Sequence, residues 1–211
     1  MRAADRDEAG RRLGPLVVAA MVPADRPIVV VALPRGGVPV AAGIADALGA
    51  PLDVVLVRKL GVPGHRELAM GAIARIGEEV ALIRNEEVLN HLGIGEAEFE
   101  AVRLRELAEL DRRQTLFDTD TPAVAGADVI IVDDGLATGA TMLAAVAAVR
   151  SLAPARITVA IPVGASQAVR SLRARADLVI CPSMPEPFIA VGAAYRDFRQ
   201  LSDEQVAALL R

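Results

Sequence analysis

An open α/β sheet of about five parallel strands, flanked by helices, is the architecture this sequence predicts. Three observations carry the prediction. Short apolar, mostly β-branched runs recur near residues 28, 52, 129, 156 and 177, the pattern of strands buried on both faces. Segments of helical character follow several of them, and such alternation means right-handed crossovers between parallel strands. Two of the runs pass into small-residue, glycine-containing loops, at 34–37 and 135–141, before the next helix.

In chain order, residues 6–22 mix charged and apolar positions and read as a first helix, stopped by Pro23. Residues 28–33 form the first buried strand. It leads into Pro34-Arg-Gly-Gly-Val38, and 38–48 read as a helix ending at Gly49 and Pro51. Residues 52–57 form the next strand, ending in Arg58 and Lys59. Residues 61–71 are rich in glycine and proline without periodicity and read as a mobile loop. A short strand at 80–83 is followed by Asn85, a cap for a helical turn through Leu89. The longest helical pattern is 96–117, with Phe99, Val102, Leu104, Leu107 and Leu110 as apolar positions and charge pairs such as Glu109–Arg113 on a solvated face. Residues 119–127 connect it to the run at 129–132. A helix at 142–149, a strand at 156–161, a helix at 165–175 and a strand at 177–180 complete the alternation. The tail breaks it: residues 182–187 are proline-rich and cannot continue a central strand, and 203–210 form a short amphipathic helix.

The composition sets outer bounds. At 211 residues, 53% of them hydrophobic, with a mean hydropathy of +0.40, the chain is read as one domain, 1–211, able to bury a substantial core. No apolar run approaches the ~20 residues of a membrane span. Residues 1–12 are charged and argue for no export, so a cytoplasmic location is expected. A net charge of −4 and a pI near 5.3 predict no general attraction to nucleic acid. The single cysteine, Cys181, is read as a buried thiol.

The chemistry concentrates in Val129-Ile-Ile-Val-Asp-Asp-Gly-Leu-Ala-Thr-Gly-Ala-Thr141. A strand ends in two carboxylates, Asp133 and Asp134, and a loop of small residues opens a helix. Loop amides and a helix N-terminus suit a phosphate. Thr138 and Thr141 add hydroxyls. The carboxylates can accept from a sugar diol or hold a hydrated Mg2+. There is no Gly-Lys-Ser/Thr, so the loop is not a Walker A motif, and its glycines lack the dinucleotide spacing.

This stretch resembles the ribose-phosphate signature of the type I phosphoribosyltransferases, most closely the adenine and uracil branches. The 6-oxopurine branch carries an aspartate where this chain has Ala137, so the base used there is missing. The resemblance extends over about 28–200. It implies a Rossmann-like phosphoribosyltransferase fold, with a core at about 28–181, a flexible flap at about 61–75 and a small C-terminal hood at about 182–211. It implies an enzyme that uses 5-phosphoribosyl 1-diphosphate (PRPP) and Mg2+, passing the phosphoribosyl group to a nitrogen nucleophile such as a nucleobase and releasing pyrophosphate. Asp133 and Asp134 would bind the diol and act catalytically, touching Mg2+ only indirectly. Gly135, Leu136, Ala137, Thr138, Gly139, Ala140 and Thr141 would hold the 5-phosphate. Arg35, Gly36, Gly37, Arg58 and Lys59 would face the diphosphate, with Lys59 also catalytic. For Arg35, and for Arg58 with Lys59, solvated cations at a turn and a strand end are the alternatives. In the flap, His65, Arg66 and above all Glu67 are candidates for acid chemistry, against a reading as exposed polar residues.

Three of the chain's five aromatics, Phe188, Tyr195 and Phe198, fall within eleven residues of the tail. Aromatic faces stack on heterocycles, and Phe188 is the candidate acceptor contact. Packing of the tail on the core is the alternative. Small-molecule substrates, a homodimer and no membrane or nucleic-acid partner are expected. A protein that senses PRPP without turnover is the competing class. The acceptor is not legible.

Overall fold

The computed structural model describes residues 2–21, 25–117 and 123–210, with backbone alone at 65–67. The elements are α1 (Arg6–Ala20), β1 (Ile28–Ala32), α2 (Gly37–Leu48), β2 (Leu52–Val54), β3 (Leu56–Val62), β4 (His65–Ile76), β5 (Glu79–Arg84), α3 (Glu86–Leu92), α4 (Glu96–Gln114), β6 (Asp128–Val132), α5 (Ala140–Ser151), β7 (Arg156–Ala160), α6 (Ser166–Arg173), β8 (Leu178–Ile180), a 3-10 turn (Val191–Ala194) and α7 (Asp203–Leu209). Five strands form one parallel sheet in the order β2-β1-β6-β7-β8, as the alternation predicts.

Alternate residues of these strands enter two cores. Val30, Ala32, Ile130 and Val132 pack with Leu13 and Val17 of α1 and Val38, Val40 and Ile44 of α2. Val29, Val31, Val129 and Ile131 pack on the other face with Met142, Ala145 and Val149 of α5 and Val169 and Leu172 of α6. The β1 crossover through α2 therefore runs on one face toward β2. The β6 crossover through α5 runs on the opposite face toward β7. Between β1 and β6 the sheet has its topological switch point, where the chain diverges to both sides and a crevice opens at the strands' C-terminal ends. The register puts those ends level, with Ala32 opposite Val132 and Leu33 N–H donating to Val132 O at 2.9 Å.

α1 lies unusually close to α2. A Cβ on Gly10 would overlap Val40 O, and one on Gly43 would overlap the Gly10 backbone, so only glycine permits this contact. The close fit fixes where the first turn of α1 points.

Two sequence expectations change here. Residues 52–57, read as one strand, divide at Val55: β2 joins the parallel sheet, and β3 belongs to a second, antiparallel sheet β3-β4-β5. Residues 61–71, read as a mobile loop, fall in β3 and β4, which pair across a tight turn at Pro63 and Gly64 with register shifts at Leu60–Val62. Tertiary pairing overrides the breaker-rich local signal because α3 and α4 cover one face of this sheet and α5 packs against the other. On α4, Leu104 is exposed rather than packed, and Glu109 pairs with Arg112 in place of Arg113. Asn85 caps α3 as expected, its Oδ1 accepting from Val88 N–H. Pro23 and the segment 119–122 lie outside the described residues. Among the described residues no helix is long and apolar enough to cross a membrane.

Candidate active site

The loops after β1 and β6 meet at the switch point. After β6 come Asp133 and Asp134, both half-buried. Asp133 Oδ1 accepts the Asp134 N–H at 2.8 Å. Asp134 Oδ2 accepts from Arg6 Nε of α1 at 2.8 Å. Burial raises the Asp133 carboxyl above its ordinary range, and the neighbouring Asp134 charge raises it further. Burial also raises Asp134, with Arg6 working against the shift by hydrogen bond and charge. Among the described residues no cation is paired with Asp133.

Beyond the pair, Gly139 takes φ +78 as the N-cap of α5, a left-handed geometry that suits glycine. No side chain caps α5, and its first i→i−4 bond is Leu143 N–H to Gly139 O at 2.8 Å. The amides of Thr141 and Met142 thus sit at a helix N-terminus without intrahelical partners, while the Ala140 N–H donates to Thr138 Oγ1 at a long 3.5 Å; the side chains of Thr138 and Thr141 are exposed beside them and exposed Ala137 stands at the loop's edge. Leu136 departs from its expected role. Its side chain is buried in the core, its N–H donates to Val163 O at 2.9 Å, and its carbonyl accepts from Ala165 N–H at 2.8 Å. Gly135 is buried against Val191 and Val163 and lines no open space. Both residues anchor the loop.

The β1 loop is a tight turn with a cis Pro34–Arg35 peptide. Gly37 N–H donates to Leu33 O at 3.0 Å. A Cβ on Gly36 would overlap Asp134 Oδ2, and one on Gly37 would lie 2.7 Å from Val132 O. Those glycines let the loop press onto the acidic pair. Arg35 is half-exposed, its Nη1 3.9 Å from Asp203 of α7.

Arg58 and Lys59 separate. Strand alternation sends them to opposite faces of β3. Arg58 is not free for a diphosphate: Nε and Nη2 reach Glu106 Oε2 of α4 at 2.8 and 2.7 Å. Lys59 is exposed on the face whose Val57 packs toward α5. The side chains of His65, Arg66 and Glu67 lie outside the described residues.

Phe188 is half-buried, packed against the α1/α2-side core. Its neighbours Pro187 and Ile189 line a cleft of about 220 Å3, with Arg2, Val163, Ser183 and Ala194 among the other walls. This cleft adjoins the acidic loop, since Gly135 touches Val163 and the Tyr195 hydroxyl donates to Asp134 O. Arg6 is a residue that the fold brings to the acidic pair and that sequence reasoning missed. It is 128 positions from Asp134, and no local pattern joins them.

Among the described residues no three His, Cys, Asp or Glu side chains converge on one point. The donor set fits a divalent ion held chiefly by ligand oxygens and water, with Asp133 the adjacent carboxylate, which no cation pairs with among the described residues.

A family model described as the phosphoribosyl transferase domain matches residues 23–196. Curated proteins from two strains of Mycobacterium tuberculosis, which carry the provisional name phosphoribosyl transferase, are each 42% identical over 208 residues. The match covers 98% of this chain and 46% of theirs, so the chain spans about half the length of these relatives. The crystal structure of TT1426 from Thermus thermophilus is 40% identical with a TM-score of 0.84, covering 100% of this chain and 98% of that one. A structure of AQ2163 from Aquifex aeolicus, 13% identical with a TM-score of 0.50 over 85% of this chain and 74% of that one, shares the fold alone.

Proposed function

The chain belongs to the phosphoribosyl transferase domain family, and from that premise we propose that it transfers the 5-phosphoribosyl group of PRPP to a nitrogen nucleophile, releasing pyrophosphate. One observation carries the reading: a carboxylate pair and a bare helix N-terminus stand together at the sheet's switch point, a diol site beside a phosphate site.

Asp133 and Asp134 accept from the ribose hydroxyls. The first-turn amides of α5 and the hydroxyls of Thr138 and Thr141 hold the 5-phosphate. Arg35 and Lys59 oppose the diphosphate. A Mg2+ ion held by ligand oxygens and water near Asp133 would supply neutralising charge to the leaving diphosphate. As the bond from C1 to the diphosphate oxygen breaks, the ribose gains oxocarbenium character, and fixed carboxylates stabilise that charge more than they stabilise the ground state. Glu67 stays the candidate for moving a proton at the acceptor. The acceptor itself enters the cleft between Val163 and Ile189, next to the diol end of the ribose and hence to C1, with Phe188 backing the cleft wall. The reading carries with it small-molecule partners, a cytoplasmic setting and a homodimer.

The test is pyrophosphate release from PRPP and Mg2+ across a panel of purines, pyrimidines and small amines. Release with at least one acceptor is the expected result. Tight PRPP binding with no release from any acceptor would make the protein a PRPP sensor instead.

A further inference from the structure

We propose that Arg6 is a positioning residue for the transfer, holding Asp134 as a fixed, charge-paired carboxylate so that Asp133 is the acid left open to the ligand; this rests on the transferase reading above. Arg6 is itself immobilised on three sides. Its Nε donates to Asp134 Oδ2 at 2.8 Å, and its Nη1 donates to Arg199 O at 2.9 Å. Its guanidinium carbon lies 3.9 Å from the Phe198 ring centroid, and that ring stacks on Tyr195 at 5.1 Å. Tyr195, 1% exposed, donates its hydroxyl to the carbonyl of Asp134. Asp134 is thus gripped through side chain and backbone, with Gly36 closing the remaining side.

The support reaches both ends of the described chain. Ala3 N–H donates to Ala194 O and Arg196 N–H to Ala3 O, each at 2.9 Å, tying the residues before α1 to the segment that carries Tyr195 and Phe198. The glycine-mediated contact of α1 with α2 sets the direction from which Arg6 arrives. The pair is therefore asymmetric. One carboxylate has a guanidinium and a fixed orientation. The other has a single hydrogen bond from a backbone amide. Two adjacent carboxylates without that cation would repel, and either could rotate away from the ribose. An arginine suits the role because its planar fork meets carboxylate, carbonyl and ring face together, which a lysine cannot do.

The experiment compares wild type with Arg6→Gln, Arg6→Lys and Phe198→Leu, measuring kcat, calorimetric PRPP affinity, and the Asp134 side chain in crystal structures of wild type and Arg6→Gln. Arg6→Gln is expected to lower kcat by about 10- to 100-fold, the cost of a misplaced group in a preorganised site. Its PRPP affinity should fall much less than kcat, by less than about threefold, since only the Asp134 contact to the ribose is loosened and the Asp133, 5-phosphate and diphosphate contacts remain. Arg6→Lys should recover part of the loss, and Phe198→Leu should show a smaller loss of the same kind. Equal losses of kcat and affinity, or an unchanged kcat, overturn the proposal. If Arg6→Gln does not fold, the other two variants carry the kinetic test. If wild type shows no turnover, the transferase reading fails on its own. The crystal structures then decide the positioning role: a displaced or split Asp134 side chain in Arg6→Gln upholds it, and an unmoved one overturns it.

Discussion

The loop after β1 and the loop after β6 lie side by side, and each leads into a helix of 12 residues. They spend their glycines differently. In the β1 loop Gly36 and Gly37 make room for the other loop, against Asp134 and the backbone at Val132 and Asp133. In the β6 loop Gly139 turns the chain into α5 and leaves that helix uncapped. Gly36 and Gly37, like Gly135 of the β6 loop, pack protein on protein, whereas Gly139 serves through its left-handed φ at the start of a helix. A glycine-rich loop at a switch point is therefore not enough to assign a phosphate contact. What decides is whether backbone amides are left open, because the space a Cβ would occupy is crowded in both loops.

The largest effect should come from filling that space. Gly36→Ala drives a methyl group into the Asp134 carboxylate, and overpacking of this kind costs about 1–3 kcal/mol. On the proposed transferase reading, pyrophosphate release should fall with it, because the displaced carboxylate belongs to the pair proposed to meet the ribose. Gly61→Ala, where nothing lies within 4 Å of the added carbon, is the control and should be near neutral in stability. Chemical denaturation of both variants checks this, and a Gly36→Ala protein as stable as wild type would mean that the two loops are not in tight contact.

What was legible in the sequence follows from the range of the forces involved. The parallel sheet could be read because strands buried on both faces need unbroken apolar runs. The acidic pair and the small-residue loop that opens α5 could be placed because one continuous stretch, 129–141, carries them. The hairpin from β3 to β4 could not, since its breakers at 61–64 signal a turn while the covering helices that stabilise the ladder lie elsewhere in the chain. Arg6 could not either: its partner, its ring platform and its carbonyl acceptor come from residues 134, 198 and 199. The aromatic cluster at 188–198 was visible, but its use was not. Tyr195 and Phe198 serve Arg6, and Phe188 joins the core.

An intermediate effect separates the two acids within the β6 loop. Burial and the Asp134 charge raise the Asp133 carboxyl. The folded chain then keeps a proton that the unfolded chain releases near pH ~4. Stability must fall as pH rises from that value through the raised one, because the unfolded state binds fewer protons across that window. Asp133→Asn removes the slope. It should match wild type near pH ~4 and exceed it by on the order of 1–2 kcal/mol at about pH 8, while losing turnover. Melting curves across pH test it, and an asparagine variant that is less stable at every pH would show that the carboxylate is stabilised where it sits.

The smallest effect concerns the neighbours Arg58 and Lys59, adjacent in sequence and opposed in space. Arg58 is 37% exposed and pairs with Glu106, which is 11% exposed and also receives Arg105 at 3.0 Å. Removing Arg58 leaves Glu106 one partner rather than none, so Arg58→Met should cost only about 1 kcal/mol, between the values for surface and broken buried pairs. PRPP affinity should hold, because that guanidinium is already engaged. Lys59 has the opposite profile. It is exposed, it lies on the α5-facing side of β3, and no ion pair holds it among the described residues. Lys59→Met should leave stability within about 0.5 kcal/mol and weaken PRPP binding severalfold through loss of a phosphate-pairing charge. Denaturation and calorimetry on the two variants give a four-way readout. If Arg58→Met loses as much PRPP affinity as Lys59→Met, the guanidinium must leave Glu106 when the donor binds, and the antiparallel sheet rearranges around the ligand. If neither loses affinity, the diphosphate is met from the β1 loop by Arg35 alone.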